Sequence, residues 1–174
     1  MTLPNLTLVL GGAASGKSAY AERLVLQGTS DPVYIATAQV FDDEMAAKVS
    51  RHRDLRGDGW TTIEEPINVA GALEKCQPDQ AVLIDCATLW LTNIMLNQHD
   101  LAGETAGLRT ALRRCSCPVV IVSNEVGQGI VPDNALSRNF RNAQGTLNQV
   151  IAADAGLVVA VMAGLPLALK GTLP

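Results

Sequence analysis

Aromatic residues are scarce in this chain, with two Trp, two Tyr and two Phe among 174 residues. A core must therefore be built mainly from Val, Leu, Ile and Ala, and no row of aromatics marks a stacking platform for a large flat ligand. Charge is thin as well, at 17% of residues against 48% hydrophobic, which excludes a disordered chain. The net charge of −4 argues against a nucleic-acid-binding surface. Cysteines are few, at 76, 86, 115 and 117. None forms a C-x-x-C pair, and Cys115-Ser116-Cys117 lacks partner ligands at zinc-site spacing. They read as reduced core or helix-end thiols. Long apolar runs are missing too: residues 157–169 are interrupted by Gly164 and Pro166 and fall short of a bilayer span. With no basic n-region at the start, the expectation is no signal peptide and a soluble, cytoplasmic protein. The length suits a single domain over 1–174 with a substantial core.

What the chain does have is a glycine-rich loop. Residues 11–18 read Gly11-Gly12-Ala13-Ala14-Ser15-Gly16-Lys17-Ser18, directly after the apolar run 6–10. A strand, a turn of the form G-x-x-x-x-G-K-[ST] and a helix from about Lys17 make a phosphate-cradling loop. Its glycines let backbone N–H groups crowd a polyphosphate without Cβ clashes. Lys17 is placed to reach the β/γ-phosphates, Ser18 to hold Mg²⁺, and the helix N-terminus adds partial positive charge. The chain is expected to bind a nucleoside triphosphate.

Apolar, β-branched runs recur at 7–10, 33–37, 61–64, 81–86, 119–123 and 157–162, with helical segments between them. This alternation predicts an α/β fold: a mostly parallel sheet with helices on both faces. The clearest helix spans 133–154, with Leu136, Phe140, Ala143, Leu147 and Val150 on one stripe and Gly145 as a possible interruption. Another helix is expected over 42–53.

Ligands bind beyond the carboxyl ends of parallel strands, so the polar residues there are the candidates. They are Thr37, Ala38 and Gln39 after the second run, and Glu64 and Glu65 at the third. Asp85 ends the fourth, and Asn124 and Glu125 follow the fifth. Asp85 suits a Mg²⁺-facing carboxylate, the alternative being a helix cap for the segment after it. Adjacent carboxylates point to opposite faces, so one of Glu64 and Glu65 serves the site, and Glu64 is favoured. Of the two histidines, His99 sits in a polar loop. His52 lies among cations in Arg51-His52-Arg53; it is either a surface residue or a nucleophile whose neighbouring arginines lower its pKa and grip phosphate.

These segments, taken in order, resemble one known family. The match covers the phosphate loop, Tyr34-Ile35-Ala36-Thr37-Ala38-Gln39, Asp42-Asp43-Glu44-Met45-Ala46-Ala47 and Arg51-His52-Arg53. It continues through Asn124-Glu125-Val126-Gly127-Gln128-Gly129-Ile130-Val131-Pro132 and Leu147-Asn148-Gln149. The chain is similar to the bifunctional adenosylcobinamide kinases / adenosylcobinamide-phosphate guanylyltransferases of cobalamin biosynthesis. The resemblance implies a P-loop NTPase (RecA-like) fold, a homotrimer and two successive reactions. A nucleoside triphosphate, ATP or GTP, phosphorylates adenosylcobinamide; GMP then passes from GTP through His52 to adenosylcobinamide phosphate. By the same resemblance Arg53, Asp54, Leu55 and Arg56 join Thr37, Ala38, Gln39, Glu64 and Asp85 in the nucleotide contacts, with Lys17 and His52 catalytic and Ser18 and Asp85 on Mg²⁺. The chain departs from the pattern at Ala14, usually Arg, at Asn142, usually acidic, and at Asp85, which is Glu in some relatives. An enzyme retaining only one of the two activities, and a nucleotide-gated regulator, remain as competing readings.

Overall fold

A computed structural model describes residues 3–39 and 59–174. The helix expected over 42–53 lies outside the described residues. The elements are β1 (Leu6–Gly11), α1 (Lys17–Gly28), β2 (Pro32–Ala36), β3 (Thr61–Glu64), α2 (Val69–Leu73), β4 (Ala81–Asp85), α3 (Ala87–Leu96), α4 (Leu101–Arg114), β5 (Val119–Asn124), α5 (Ala135–Asp154), β6 (Leu157–Met162) and β7 (Leu165–Lys170). Their strands form one sheet in the order β3-β2-β4-β5-β1-β6-β7. All neighbours are parallel except β6 and β7.

The parallel strands are apolar nearly throughout because both of their faces are covered. On one face Val9, Leu83, Val120, Val122 and Val159 pack under Tyr20, Ala21, Leu24 and Val25 of α1. On the other, Leu8, Ile35, Ile84 and Ile121 pack under helices α2 to α5, including Trp90, Leu91, Leu112, Leu147 and Ile151. Successive residues of one strand thus enter different cores, as the period-2 pleat requires. Trp90 is buried and donates its indole N–H to the Ile67 carbonyl at 2.8 Å, so its one polar atom is satisfied.

The strand expected over 157–162 forms as β6, and the apolar residues beyond it form β7, which turns back antiparallel on β6 and closes one edge of the sheet. Pro166 belongs to β7, and an edge strand tolerates its missing donor. In α5 the buried stripe begins at Phe140, not at Leu136, which is exposed. It runs through Gln144, Leu147, Asn148 and Ile151; at 3.6 residues per turn it drifts from Val150 to Ile151. Gly145 does not break the helix. The Asn134 side chain accepts from the Ser137 N–H at 2.8 Å and caps it.

All four cysteines are free, with Cys86 and Cys117 buried. Cys115 and Cys117 bring their sulfurs to 3.4 Å at the amino edge of the sheet. No helix among the described residues is long and apolar enough to cross a membrane.

Candidate active site

The strand register gathers the candidates along one edge. Gly11 of β1 pairs with Asn124 of β5, Asp85 of β4 with Val122 of β5, Ala36 of β2 with Asp85, and Glu64 of β3 with Ala36. The glycine-rich loop leaves this edge between β1 and α1. Gly16 precedes α1 at φ +91°, where an L side chain is strained. Gly11 is fixed by space: a Cβ there would stand 2.3 Å from Ser15 Oγ and 2.7 Å from the Val161 carbonyl. Ala14 adopts φ +54° without glycine's freedom and projects from the exposed part of the loop. The Lys17 ammonium folds back across the loop and donates to the Gly12 carbonyl at 3.0 Å. Loop N–H groups, a lysine at the mouth and a helix N-terminus together make an anion site.

Asp85 is half-buried at the end of β4. It does not cap α3: the N-cap is Cys86, with no side-chain cap bond. The Cys86 thiol is pushed up to about 11 by burial and by the Asp85 charge, with Lys17 opposing. A hydroxyl at Ser18 and a carboxylate at Asp85 are hard oxygen donors of the kind Mg²⁺ takes when phosphates and water complete its shell. Among the described residues no cluster of three His, Cys, Asp or Glu side chains forms a protein-only metal cage.

The remaining candidates divide. Glu64 ends β3 exposed on the edge. Glu65 instead turns its carboxylate onto the backbone, accepting from the N–H groups of Ile67 and Asn68 at 3.1 and 2.8 Å. Thr37 is fully buried. Its hydroxyl donates to the Cys86 carbonyl at 2.8 Å and accepts from the Cys86 N–H at 2.7 Å. The side chain is a clamp between the ends of β2 and β4, and its backbone joins in it: the Thr37 N–H donates to the Asp85 carbonyl at 3.2 Å and its carbonyl accepts from Asn93 Nδ2 at 2.8 Å. Ala38 and Gln39 follow it, half-buried. His52, Arg53, Asp54, Leu55 and Arg56 lie outside the described residues. Asn142 is exposed on α5.

Sequence reasoning missed a buried polar network behind Asn124. Gln144 donates to Ser123 Oγ and to Asn148 Oδ1 at 2.9 and 3.0 Å. Ser123 donates to Asn148 Oδ1 at 2.6 Å, and Asn148 Nδ2 donates to the Asn124 carbonyl at 3.1 Å. Nearby, Thr88 Oγ1 accepts from the Asn124 N–H at 2.9 Å. An amide pair at i, i+4 inside an apolar helix stripe was the available signal. A separate groove of about 510 Å³ lies at the amino edge, between α2 and α4, lined by residues including Leu73, Cys76, Thr110 and Arg114.

The family model for cobinamide kinase / cobinamide phosphate guanyltransferase matches residues 7–169. The chain is 42% identical over 167 residues to the bifunctional adenosylcobalamin biosynthesis protein CobP of Pseudomonas aeruginosa, covering 94% of this chain and 96% of that one. It is 40% identical over 182 residues to the bifunctional protein CobU of Salmonella typhimurium (95% and 99%), and 37% identical over 181 residues to that of Escherichia coli (95% and 99%). Among solved structures, the RadB recombinase superposes with TM-score 0.50 at 17% identity, over 91% of this chain and 75% of that one. An ATPase from a type III secretion system superposes with TM-score 0.55 at 9% identity, over 95% and 57%. These distant likenesses speak for the fold, which is the expected RecA-like P-loop architecture. With the loop, the edge carboxylates and the match over nearly its whole length, the chain belongs to the cobinamide kinase / cobinamide phosphate guanyltransferase family of enzymes.

Proposed function

We propose that the protein carries out two reactions at one nucleotide-binding edge. In the first, ATP or GTP phosphorylates the side-chain hydroxyl of adenosylcobinamide. In the second, the imidazole of His52 attacks the α-phosphorus of GTP: a P–N bond forms, the bond to the pyrophosphate oxygen breaks, and pyrophosphate leaves. The phosphate of adenosylcobinamide phosphate then attacks the same phosphorus, breaks the P–N bond and departs as adenosylcobinamide-GDP. Covalent transfer of this kind divides one difficult displacement into two.

The observation that carries the reading is the loop between β1 and α1, with Lys17 folded over it onto the Gly12 carbonyl, on the strand edge that Asp85 also ends. The backbone of residues Gly11 to Ser18 cradles the phosphates, and Lys17 neutralises charge on the β/γ-oxygens. Mg²⁺, held by Ser18 and Asp85, supplies further charge neutralisation when bound. Thr37, Ala38, Gln39, Arg53, Asp54, Leu55, Arg56 and Glu64 complete the nucleotide contacts. Assembly as a homotrimer follows from the family resemblance; exposed apolar groups on the β6–β7 hairpin and the loop before α5, Met162, Leu165, Leu167, Leu169, Ile130 and Val131, offer surface for subunit contact without fixing the number of subunits. The enzyme works in the cytoplasm.

The test uses GTP labelled at the α-phosphate with wild type and His52→Ala side by side. Acid-labile, alkali-stable label on the wild type alone supports the GMP-histidine intermediate. Tight GTP binding without label overturns the transferase step and leaves a kinase. For the metal role, Asp85→Asn is expected to impair Mg²⁺-dependent turnover more than stability. A folded variant with unchanged Mg²⁺ dependence removes Asp85 from the site.

A further inference from the structure

The β6–β7 turn reaches the phosphate loop. Met162 pairs with Leu165, leaving Ala163 and Gly164 as a two-residue turn with φ of +52° and +77°. Positive φ at both positions is the primed hairpin geometry, and Ala163 adopts it without glycine's freedom. The turn N–H of Gly164 donates to the Ser15 carbonyl at 2.8 Å. A Cβ on Gly16 would come within 3.0 Å of Gly164 Cα and 3.9 Å of Val161 Cγ1. Two segments more than 140 residues apart in sequence thus meet backbone to backbone.

A loop that binds phosphate through its N–H groups must turn its carbonyls elsewhere, and a carbonyl turned into protein needs a donor. Gly164 supplies that donor to Ser15, the residue just before Gly16-Lys17. From this geometry we infer that Gly164 is a positioning residue for the phosphate loop: its N–H pins the Ser15 carbonyl outward and so fixes the loop's N–H groups toward the β- and γ-phosphates. It touches no substrate; it acts through Ser15 and Gly16. The inference rests on the phosphate-binding reading of the loop.

Only a residue that tolerates positive φ keeps this N–H aimed. A side chain at 164 meets no heavy atom within 4 Å, so its effect is conformational and not a clash. Asn accepts the left-handed region and keeps the donor; Pro removes the donor and imposes negative φ. The experiment measures binding of GTP, presented as its α,β-methylene analogue so that pyrophosphate cannot leave, and of GMP, each with Mg²⁺, to the full-length protein. Gly164→Pro is expected to weaken GTP at least tenfold and GMP less than threefold, because the loss falls on the terminal phosphates. Gly164→Asn is expected to stay within twofold of wild type for both.

Gly171→Ala separates positioning from mere weakening of the same hairpin. Its φ is +76°, and an added Cβ would stand 2.5 Å from the Gly156 carbonyl, away from the loop. It is expected to lower Tm while leaving GTP affinity within twofold. If Gly164→Pro does not fold, Gly164→Val, β-branched and strained at positive φ, carries the same expectation. Near-normal GTP binding by a folded Pro or Val variant overturns the role of Gly164. So does equal loss of GTP and GMP, or an equal loss in Gly171→Ala. Wild type that binds neither nucleotide overturns the phosphate-loop reading itself, and the positioning role with it.

Discussion

The two flanks of the carboxyl edge are built by different means. Around β1 and β6 the site is made of backbone: glycines in close approach, a carbonyl held by the Gly164 N–H, and Lys17 folded onto the Gly12 carbonyl. Around β2, β4 and β5 it is made of buried side chains that hold strand ends in place. Thr37 grips Cys86, Asn93 donates to the carbonyls of Thr37 and Pro66, and Asn148 holds Asn124. The first flank can present N–H groups to an anion because few side chains stand in the way. The second can carry carboxylates such as Asp85 because its own peptide groups are already satisfied. Substitutions of the groups that build the two flanks should therefore fail differently, those of the phosphate loop in binding and those of the buried clamps in stability.

The largest effect is expected on the backbone flank. Lys17→Ala removes the one fixed charge of the loop and should lower both activities by about 10²–10³-fold, with little change in Tm because the side chain is only half-buried. Near-normal kinase rates would break the comparison. On the other flank Asn148→Ala strips partners from Ser123, Gln144 and the Asn124 carbonyl at once. Gln144 and Ser123 keep their bond to each other, so the loss stays below that of three fully unpartnered groups at about 1–3 kcal/mol each, and denaturant unfolding should show about 2–4 kcal/mol. Thr37→Val keeps the shape but orphans the Cys86 N–H and takes one of two donors from the Cys86 carbonyl, which keeps the Trp90 N–H; a loss of about 2 kcal/mol is expected, and Thr37→Ser should recover most of it. If either variant instead kept full stability and lost only GTP affinity, the division between flanks would be wrong.

The backbone flank was legible because its chemistry is written in local letters. G-x-x-x-x-G-K-S after an apolar run has one structural meaning, and the strand and helix fell where the letters put them. Asp85 and Glu64 were legible for the related reason that they end apolar runs. The side-chain flank depends on which strands become neighbours, and nothing local to Thr37 says that Cys86, 49 residues on, lies beside it. Gln144 and Asn148 read as polar punctuation on an apolar stripe until β5 is known to pass beneath them. The hairpin was missed because Pro166 and Gly164 read as interruptions of one apolar run rather than as an edge strand and its turn. The segment containing His52 was legible only through resemblance, and it lies outside the described residues.

The smallest effect tests whether α5 transmits anything to the edge. Its last residue, Asp154, is mostly buried and accepts from Arg109 at 2.5 and 2.9 Å and from Arg113 at 2.7 Å, tying α5 to α4 far from the loop. The hydrogen bonds from Arg109 and then Arg113 hold its carboxyl well below the ordinary carboxylate range. A carboxylate depressed in the folded state contributes stability that is fully present above its unfolded value near pH 4 and is lost as pH falls toward the folded value. The Tm difference between wild type and Asp154→Asn should therefore be constant above about pH 5 and shrink below about pH 4. Asn148 and Gln144 sit six and ten residues before Asp154 on the same helix, about 9 and 15 Å along its axis, and share no hydrogen bond with it, so GTP affinity at neutral pH should be unchanged in Asp154→Asn. A drop in that affinity would mean that α5 acts as a rigid lever on Asn124. The side-chain flank would then extend across the whole depth of the sheet instead of ending at its carboxyl edge.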